Sequence, residues 1–321
     1  LSTLLLAMPL LLPAGASFAQ TTIHVPQNFP NIQAAIDAAN PGDTILVAEG
    51  RWCGAILNKP VNLVGVDDDS TIIACPNNAG PADLKRGLLM QPGASGSTVS
   101  HFEFDGAGFS DTNRTPLGIG IGSNANANNI TVEHNHFLGG LLGVNAIGTG
   151  WNVSHNVFEG FTILNPPNCL GGTAISSVGF APALLKQTFN HNKITSHTPD
   201  GTSPVCSWIN DLDVPMAGIV ISGHDGTVIA QNKISITPNL HGDAAAGIIV
   251  SDQLNGRTGS ASLNLVITDN DARGSAFGVI VTTGNTQGDL VRDNKGNNLI
   301  SGATGNATRR SMKSCDDPSC Q

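Results

Sequence analysis

The sequence predicts an all-β solenoid with a single short helix near its N-terminal end. Three observations carry that prediction. A motif of form φ-x-His-Asn-x-φ-x-Gly, with φ apolar, recurs along the chain; a second element, Gly-φ-x-φ, precedes most of its copies; and only one stretch has helical periodicity. Short repeats of this kind mark stacked coils, each contacting only its neighbours.

The first nineteen residues stand apart. Leu4–Leu6 and Leu10–Leu12 form an uncharged apolar run broken by Pro9 and Pro13, and Ser17 and Ala19 give a small-residue cleavage pattern before Gln20. Residues 1–19 therefore read as a secretory signal peptide, 20–308 as one β domain and 309–321 as a tail. The mature protein is expected to be secreted or periplasmic and monomeric. It has no membrane span, since no later segment approaches ~18 apolar residues.

Composition agrees. Of 321 residues 40% are apolar and 38 are Gly, while only 12% are charged. The usual charged share is ~25%, so a disordered chain or a Glu/Lys-rich coiled coil is excluded. The net charge is −9 and no basic cluster exceeds Arg309–Arg310, which argues against a nucleic-acid partner.

Ile32, Ala35, Ile36 and Ala39 fall on one helical stripe, and Asn40-Pro41-Gly42-Asp43 stops the helix. Thr44–Val47, Val61–Gly65 and Thr71–Ala74 follow as short β runs. The repeat then begins at Val99-Ser100-His101-Phe102, with Phe in the Asn slot, and is complete at Val132–Gly139 and Val153–Gly160. Phe189–Ser196 and weaker copies around Asn232, Asn270 and Asn294 continue it. The Gly-φ-x-φ element is Gly118–Ile121, Gly143-Val144, Gly218–Ile221, Gly247–Val250 and Gly278–Val281. Val132 to Val153 spans 21 residues and other steps run from 24 to 40. A propeller would need four strands in every ~40-residue blade, so a solenoid with insertions fits better.

The opening Asn31–Trp52, with Ile-Gln-Ala-Ala-Ile and Pro-Gly-Asp-Thr-Ile-Leu-Val, resembles the start of pectin lyase-like right-handed parallel β-helix proteins, shared by pectinesterases and NosD-type proteins. Lys59–Gly65 and Thr71–Ile73 match the second coil of that group, and the resemblance covers most of residues 22–305. It implies a single-stranded right-handed parallel β-helix with a short N-terminal capping helix. It also assigns the strand before each Asn as the second strand of a coil, the strand after it as the third, and Gly-φ-x-φ as the first strand of the next. Asn suits the turn because it tolerates left-handed backbone. Asn135, Asn156, Asn192, Asn232, Asn270 and Asn294 should stack as an internal ladder, with His101, His134, His155 and His191 as a column along one corner.

Coil phase pairs the cysteines. Cys53 and Cys75 lie 22 residues apart, about one minimal coil, hence one rung of ~4.8 Å apart, within the ~4.4–6.8 Å that a disulfide spans. Cys169 and Cys206 follow Asn156 and Asn192 by 13 and 14 residues and so share a phase. Cys315 and Cys320 remain for a local bridge in the tail.

Catalytic members of the resembled group place charged residues on the outer face of the first-strand sheet or its flanking loops. With Ile119, Val144, Ile175, Ile219, Ile248 and Val279 inward, alternation puts Gly120, Asn145, Ser176, Val220, Ile249 and Ile280 outward. None is an acid, a base or a calcium ligand. The polygalacturonase motifs also fail. Asn210-Asp211-Leu212-Asp213 and Gly223-His224-Asp225-Gly226 stand in the wrong arrangement without Arg-Ile-Lys, and no family catalytic residue carries over.

Loops remain. Insertions at about 195–216 and 235–246 hold His197, Trp208, Asp211, Asp213, His241 and Asp243, and the loops on the opposite edge hold His224, Asp225, Asp252 and Arg257. Asp211, Asp213, His241 and Asp243 are the candidate acid–base groups or Ca²⁺ ligands. Trp208, His197, His224, Asp225 and Arg257 are the candidate substrate contacts. The partner expected is a polysaccharide or cell-surface glycan, processed by lyase or hydrolase chemistry. A non-catalytic surface scaffold is the alternative.

Overall fold

A computed structural model describes residues 20–77, 85–110, 112–113, 115–123, 126–164, 169, 171–179, 184–199, 206, 214–238, 245–254, 257–258, 260–282 and 289–300. The described strands form three long, all-parallel sheets of ten, seven and nine strands. Each sheet takes one strand per coil. One minimal coil runs Thr131–Glu133, His136–Gly139 and Leu142–Asn145, and Asn152–Ser154 then opens the next rung. The chain is a right-handed parallel β-helix, the hand that parallel crossovers adopt almost without exception.

The helix Ile32–Ala38 closes the N-terminal end. Asn31 caps it, its side chain accepting from the Ala34 N–H, and the helix buries Ile32, Ala35 and Ile36 on the first coil. Gln33 ties it down further by accepting from the Ile56 N–H (2.8 Å). A further single helical turn forms at Pro92–Ala94.

The Asn ladder is continuous from Asn135 to Asn294. In each step the backbone N–H and the side-chain Nδ2 of one Asn both donate to Oδ1 of the next, at 2.8–3.1 Å. The Phe102 N–H joins by donating to Asn135 Oδ1, so Phe occupies the slot without breaking the column. One expectation is corrected. The left-handed residue is not the Asn but the one before it: His101, His134, His155, His191, Gln231, Asp269 and Asp293 have φ between 54° and 61°. The Asn is thereby turned inward, where its amide serves the ladder. The four imidazoles project outward and stack at centroid distances of 5.6, 5.2 and 4.7 Å.

The core lies between the three sheets. Phe104, Phe137 and Phe158 stack within it at 4.7 and 4.6 Å. This explains the Gly of Gly-φ-x-φ, because a Cβ at Gly120 or Gly143 would lie 2.6 Å from the Phe137 or Phe158 ring. Register corrects the first copy of that element. Ile121, not Ile119, pairs with Val144 and lies in the inward row, so Gly120 aligns with Gly143 and Gly122 with Asn145. Trp52 and Trp151 are packing residues as expected, their indole N–H groups donating to Ala48 O and Ala127 O.

Two disulfides form as the coil phase predicts, Cys53–Cys75 and Cys169–Cys206, with Cα–Cα distances of 4.5 and 4.9 Å. Residues 1–19, Cys315 and Cys320 lie outside the described residues. No described helix is long and apolar enough to cross a membrane.

Candidate functional site

The outer face of the first-strand sheet is built from two outward rows. One is Arg86, Ile119, Leu142, Thr173, Ala217 and Ala246, and the other is Leu89, Gly122, Asn145, Ser176, Val220, Ile249 and Ile280. Gly122 thus takes the place expected for Gly120. Toward the C-terminal end the face is apolar and cut off from solvent. Ala217, Val220, Ala246, Ile249 and Ile280 join Val214 in a second hydrophobic cluster outside the helix core. Among the described residues no open trough of polar side chains lies there.

The N-terminal half differs through one residue. Arg86 is the only charged side chain in the two rows, and its stem lies across Gly122: a Cβ at that glycine would stand 3.0 Å from Arg86 Cδ and Nε. Burial pushes the guanidinium below its ordinary pKa, and its Nε is buried with no hydrogen-bond partner. Among the described residues no carboxylate pairs with it. A half-buried cation without a counter-ion is costly, and such groups call for a partner. Asn145 and Ser176 continue the row beyond Gly122 and offer neutral hydrogen-bonding groups. The face can therefore hold an anionic group and hydroxyls, but it carries no described base or nucleophile.

Sequence reasoning missed Arg86, although the signal was present. Gly87-Leu88-Leu89-Met90 is another Gly-φ-x-φ copy, and the residue before its Gly falls in an outward row.

The loop candidates divide. Trp208, Asp211, Asp213, His241 and Asp243 lie outside the described residues. His197 is the exposed last residue of the third-strand segment Lys193–His197, paired with Thr237. Strands occupy 193–197, 216–222, 233–237 and 245–250, so the two insertions narrow to 198–215 and 238–244.

His224 does not reach a surface. It is wholly buried, with Nδ1 against Thr227 Oγ1 (2.8 Å) and Nε2 against the Ser177 carbonyl (3.0 Å). These partners leave Nε2–H donating and Nδ1 accepting, and burial drives the pKa down to about 4. A neutral, fully bonded imidazole between two coils positions backbone, not substrate. Asp225 is exposed but accepts from Asn264 Nδ2 (2.8 Å). Asp252 accepts from Thr282 Oγ1 (3.4 Å), and Arg257 lies in a two-residue antiparallel pairing with Gln253–Leu254.

A second group of titratable side chains lies on the outer face of the third-strand sheet. His136 stands between Glu103 (3.6 Å from Nδ1) and Glu159 (3.5 Å from Nε2) on the two flanking coils. Burial raises the Glu103 pKa against the pull of His136. The two nitrogens face opposite carboxylates, so the trio bridges coils and does not converge on one point. No described group of three or more His, Cys, Asp or Glu residues is placed to hold a metal ion.

No protein-family model and no curated protein matches the chain. Among solved structures it is similar to the tailspike of an Acinetobacter baumannii bacteriophage, a capsular polysaccharide depolymerase (12% identity, TM-score 0.38), covering 92% of this chain and 63% of the tailspike. It is also similar to pectin methylesterase PemA of Erwinia chrysanthemi (12%, TM-score 0.41), with 93% and 94% of the two chains covered. An alginate lyase of a Paenibacillus species gives 15%, TM-score 0.40, and 88% and 98% coverage. The chain thus spans less than two-thirds of the tailspike.

Proposed function

We propose that the protein is an exported β-helix that binds an acidic polysaccharide across the N-terminal half of its first-strand sheet. Arg86 carries this reading. Its guanidinium is the single charge in the two outward rows, no described residue serves as its counter-ion, and its stem is seated over a residue with no side chain. A sugar carboxylate supplies the missing acceptor with the fork geometry that guanidinium favours. The two disulfides fit an oxidising compartment outside the cytoplasm.

The test is binding of polygalacturonate and of neutral dextran, by affinity electrophoresis and calorimetry. Arg86→Ala should weaken polygalacturonate binding about ten- to a hundredfold, the equivalent of ~1.5–3 kcal/mol for a charge-assisted hydrogen bond. Unchanged affinity, or equal affinity for dextran, contradicts the proposal.

A second reading adds turnover at the insertions. It is favoured by the Cys169–Cys206 bridge, which anchors the 198–215 segment to the body at a buried residue two positions before Trp208. In that reading Trp208 stacks on a sugar ring, Asp211, Asp213, His241 and Asp243 supply acid–base groups or hold Ca²⁺, and His197, Asp225 and Arg257 contact the chain on either side.

A further inference from the structure

Charge on the outer face of the third-strand sheet is sorted along the helix axis. In register, one outward row runs Glu103, His136, Val157, Lys193, Lys233, Asp271, Lys295. Its first half holds Glu103 and His136, and the neighbouring row adds Asp105 and Glu159; these groups are internally paired, Asp105 with Arg51 (2.6 Å), and Glu103 and Glu159 with His136. Its second half carries three lysines, one per coil except where Asp271 intervenes. That aspartate is already engaged by Arg273, which donates to it from two nitrogens at 2.9 and 2.7 Å and helps hold its pKa down to about 2. Glu159 stands 3.8 Å from Lys193. Asp293, at the adjoining corner, stands 3.6 Å from Arg292. Among the described residues the side chains of Lys233 and Lys295 form no ion pair or hydrogen bond, although the charge of Lys295 helps lower the Asp271 pKa.

A cleft of about 330 Å³ adjoins this row, between Lys233–Ser235 and Asp271–Gly274. It arises because the third-strand sheet ends at Lys233–Thr237. The next coil pairs with it by the single bridge Lys233–Asp271, adds a bond from the Ile236 N–H to Ser275 Oγ (3.0 Å), then enters the first-strand segment Phe277–Val281. Such a volume lies at the small end of ligand pockets, near ~300 Å³. The whole chain has 15 Lys and Arg against 24 Asp and Glu, so three in-register lysines run against the background charge.

We propose that Lys193, Lys233 and Lys295, with the adjoining cleft, form a second contact for a linear anionic polysaccharide, on a different face from Arg86. Lysines one strand spacing (~4.8 Å) apart at 193 and 233, and about two spacings further on at 295, follow one line along the axis and suit a linear polyanion, with the cleft receiving one sugar unit. The row has no aromatic platform, which single-stranded nucleic acid would use. It has no apolar anchor either, which a protein interface would need at its centre.

The experiment compares the full chain with Lys233→Ala/Lys295→Ala and with Lys233→Glu/Lys295→Glu, folding being checked by circular dichroism. Polygalacturonate, dextran sulfate, dextran and double-stranded DNA are the probes, at 50 and 300 mM NaCl. The alanine pair should weaken binding of a polyanion about tenfold at low salt, the glutamate pair further, and salt should narrow the gap. Loss confined to polygalacturonate identifies carboxylate as the recognised group, and loss confined to dextran sulfate identifies sulfate. Wild-type affinity of both pairs for both polyanions overturns the proposal, as does an equal loss on dextran or a larger loss on double-stranded DNA. Arg86→Ala measured alongside separates the two faces. If it has no effect while the lysine pairs do, the first-strand reading fails and this one stands; the converse result removes only this one.

Discussion

Replacing Asn192 by Ala removes one rung of the ladder at its middle. Asn192 is buried, and its Oδ1 accepts from both the Asn156 N–H and Asn156 Nδ2 at 3.1 Å. Its Nδ2 donates to Val153 O (2.9 Å) and Asn232 Oδ1 (3.0 Å). After truncation the losses are unequal. Asn156 Nδ2 keeps Val132 O and Ser154 O, and Asn232 Oδ1 keeps the backbone N–H of residue 192. The Asn156 N–H keeps nothing, and Val153 O loses its side-chain donor. One fully orphaned buried donor costs about 1–3 kcal/mol, and the small void adds to it. We expect a loss of about 2–3 kcal/mol, seen in a domain of this size as a melting-temperature drop of roughly 3–5 °C. Thermal and urea melts followed by circular dichroism measure it, while glycan binding by the folded fraction stays at the wild-type level. An unchanged melting temperature with abolished binding would refute the structural role of the ladder.

Asp289 gives a pH-dependent counterpart. Burial pushes its carboxyl up to about 6, against the Leu265 N–H that donates to Oδ1, and its Oδ2 is buried without a partner. The unfolded chain ionises first, near pH ~3.9, so stability falls as pH rises from about 4 to about 6 and then levels off. Asp289→Asn should therefore raise stability by about 1 kcal/mol at pH 7.5, after discounting for partial exposure, and by nothing at pH 4. Equal shifts at both pH values would contradict this. At the insertions, Trp208→Ala should weaken glycan binding, and Asp211→Ala with Asp213→Ala should abolish any EDTA-sensitive turnover without lowering the melting temperature. Wild-type behaviour in both variants removes that cleft from consideration.

The coil architecture was legible because its signals are local and repeat. His-Asn flanked by apolar residues marked each tight turn, and counting from Asn156 and Asn192 was enough to pair Cys169 with Cys206. Which turn residue is left-handed was misread. Asn and His both tolerate that conformation, and only the ladder's need for an inward amide decides between them. Arg86 was missed for a related reason: a single outward residue before a Gly-φ-x-φ copy gains meaning only once register places it over Gly122. The line of lysines was harder still. Lys193, Lys233 and Lys295 are far apart in sequence, with variable insertions between them, and only strand pairing aligns them. His224 misled in the opposite direction, since a Gly-His-Asp-Gly loop looks exposed until Ser177 and Thr227 are seen to enclose the ring.

The most direct test of the account is a crystal structure with a bound oligogalacturonate. A bound chain lying over Gly122 toward Asn145 is expected, with a sugar carboxylate within hydrogen-bonding distance of the exposed edge of the Arg86 guanidinium. Saturating oligosaccharide bound elsewhere, with Arg86 still lacking an acceptor, would contradict it.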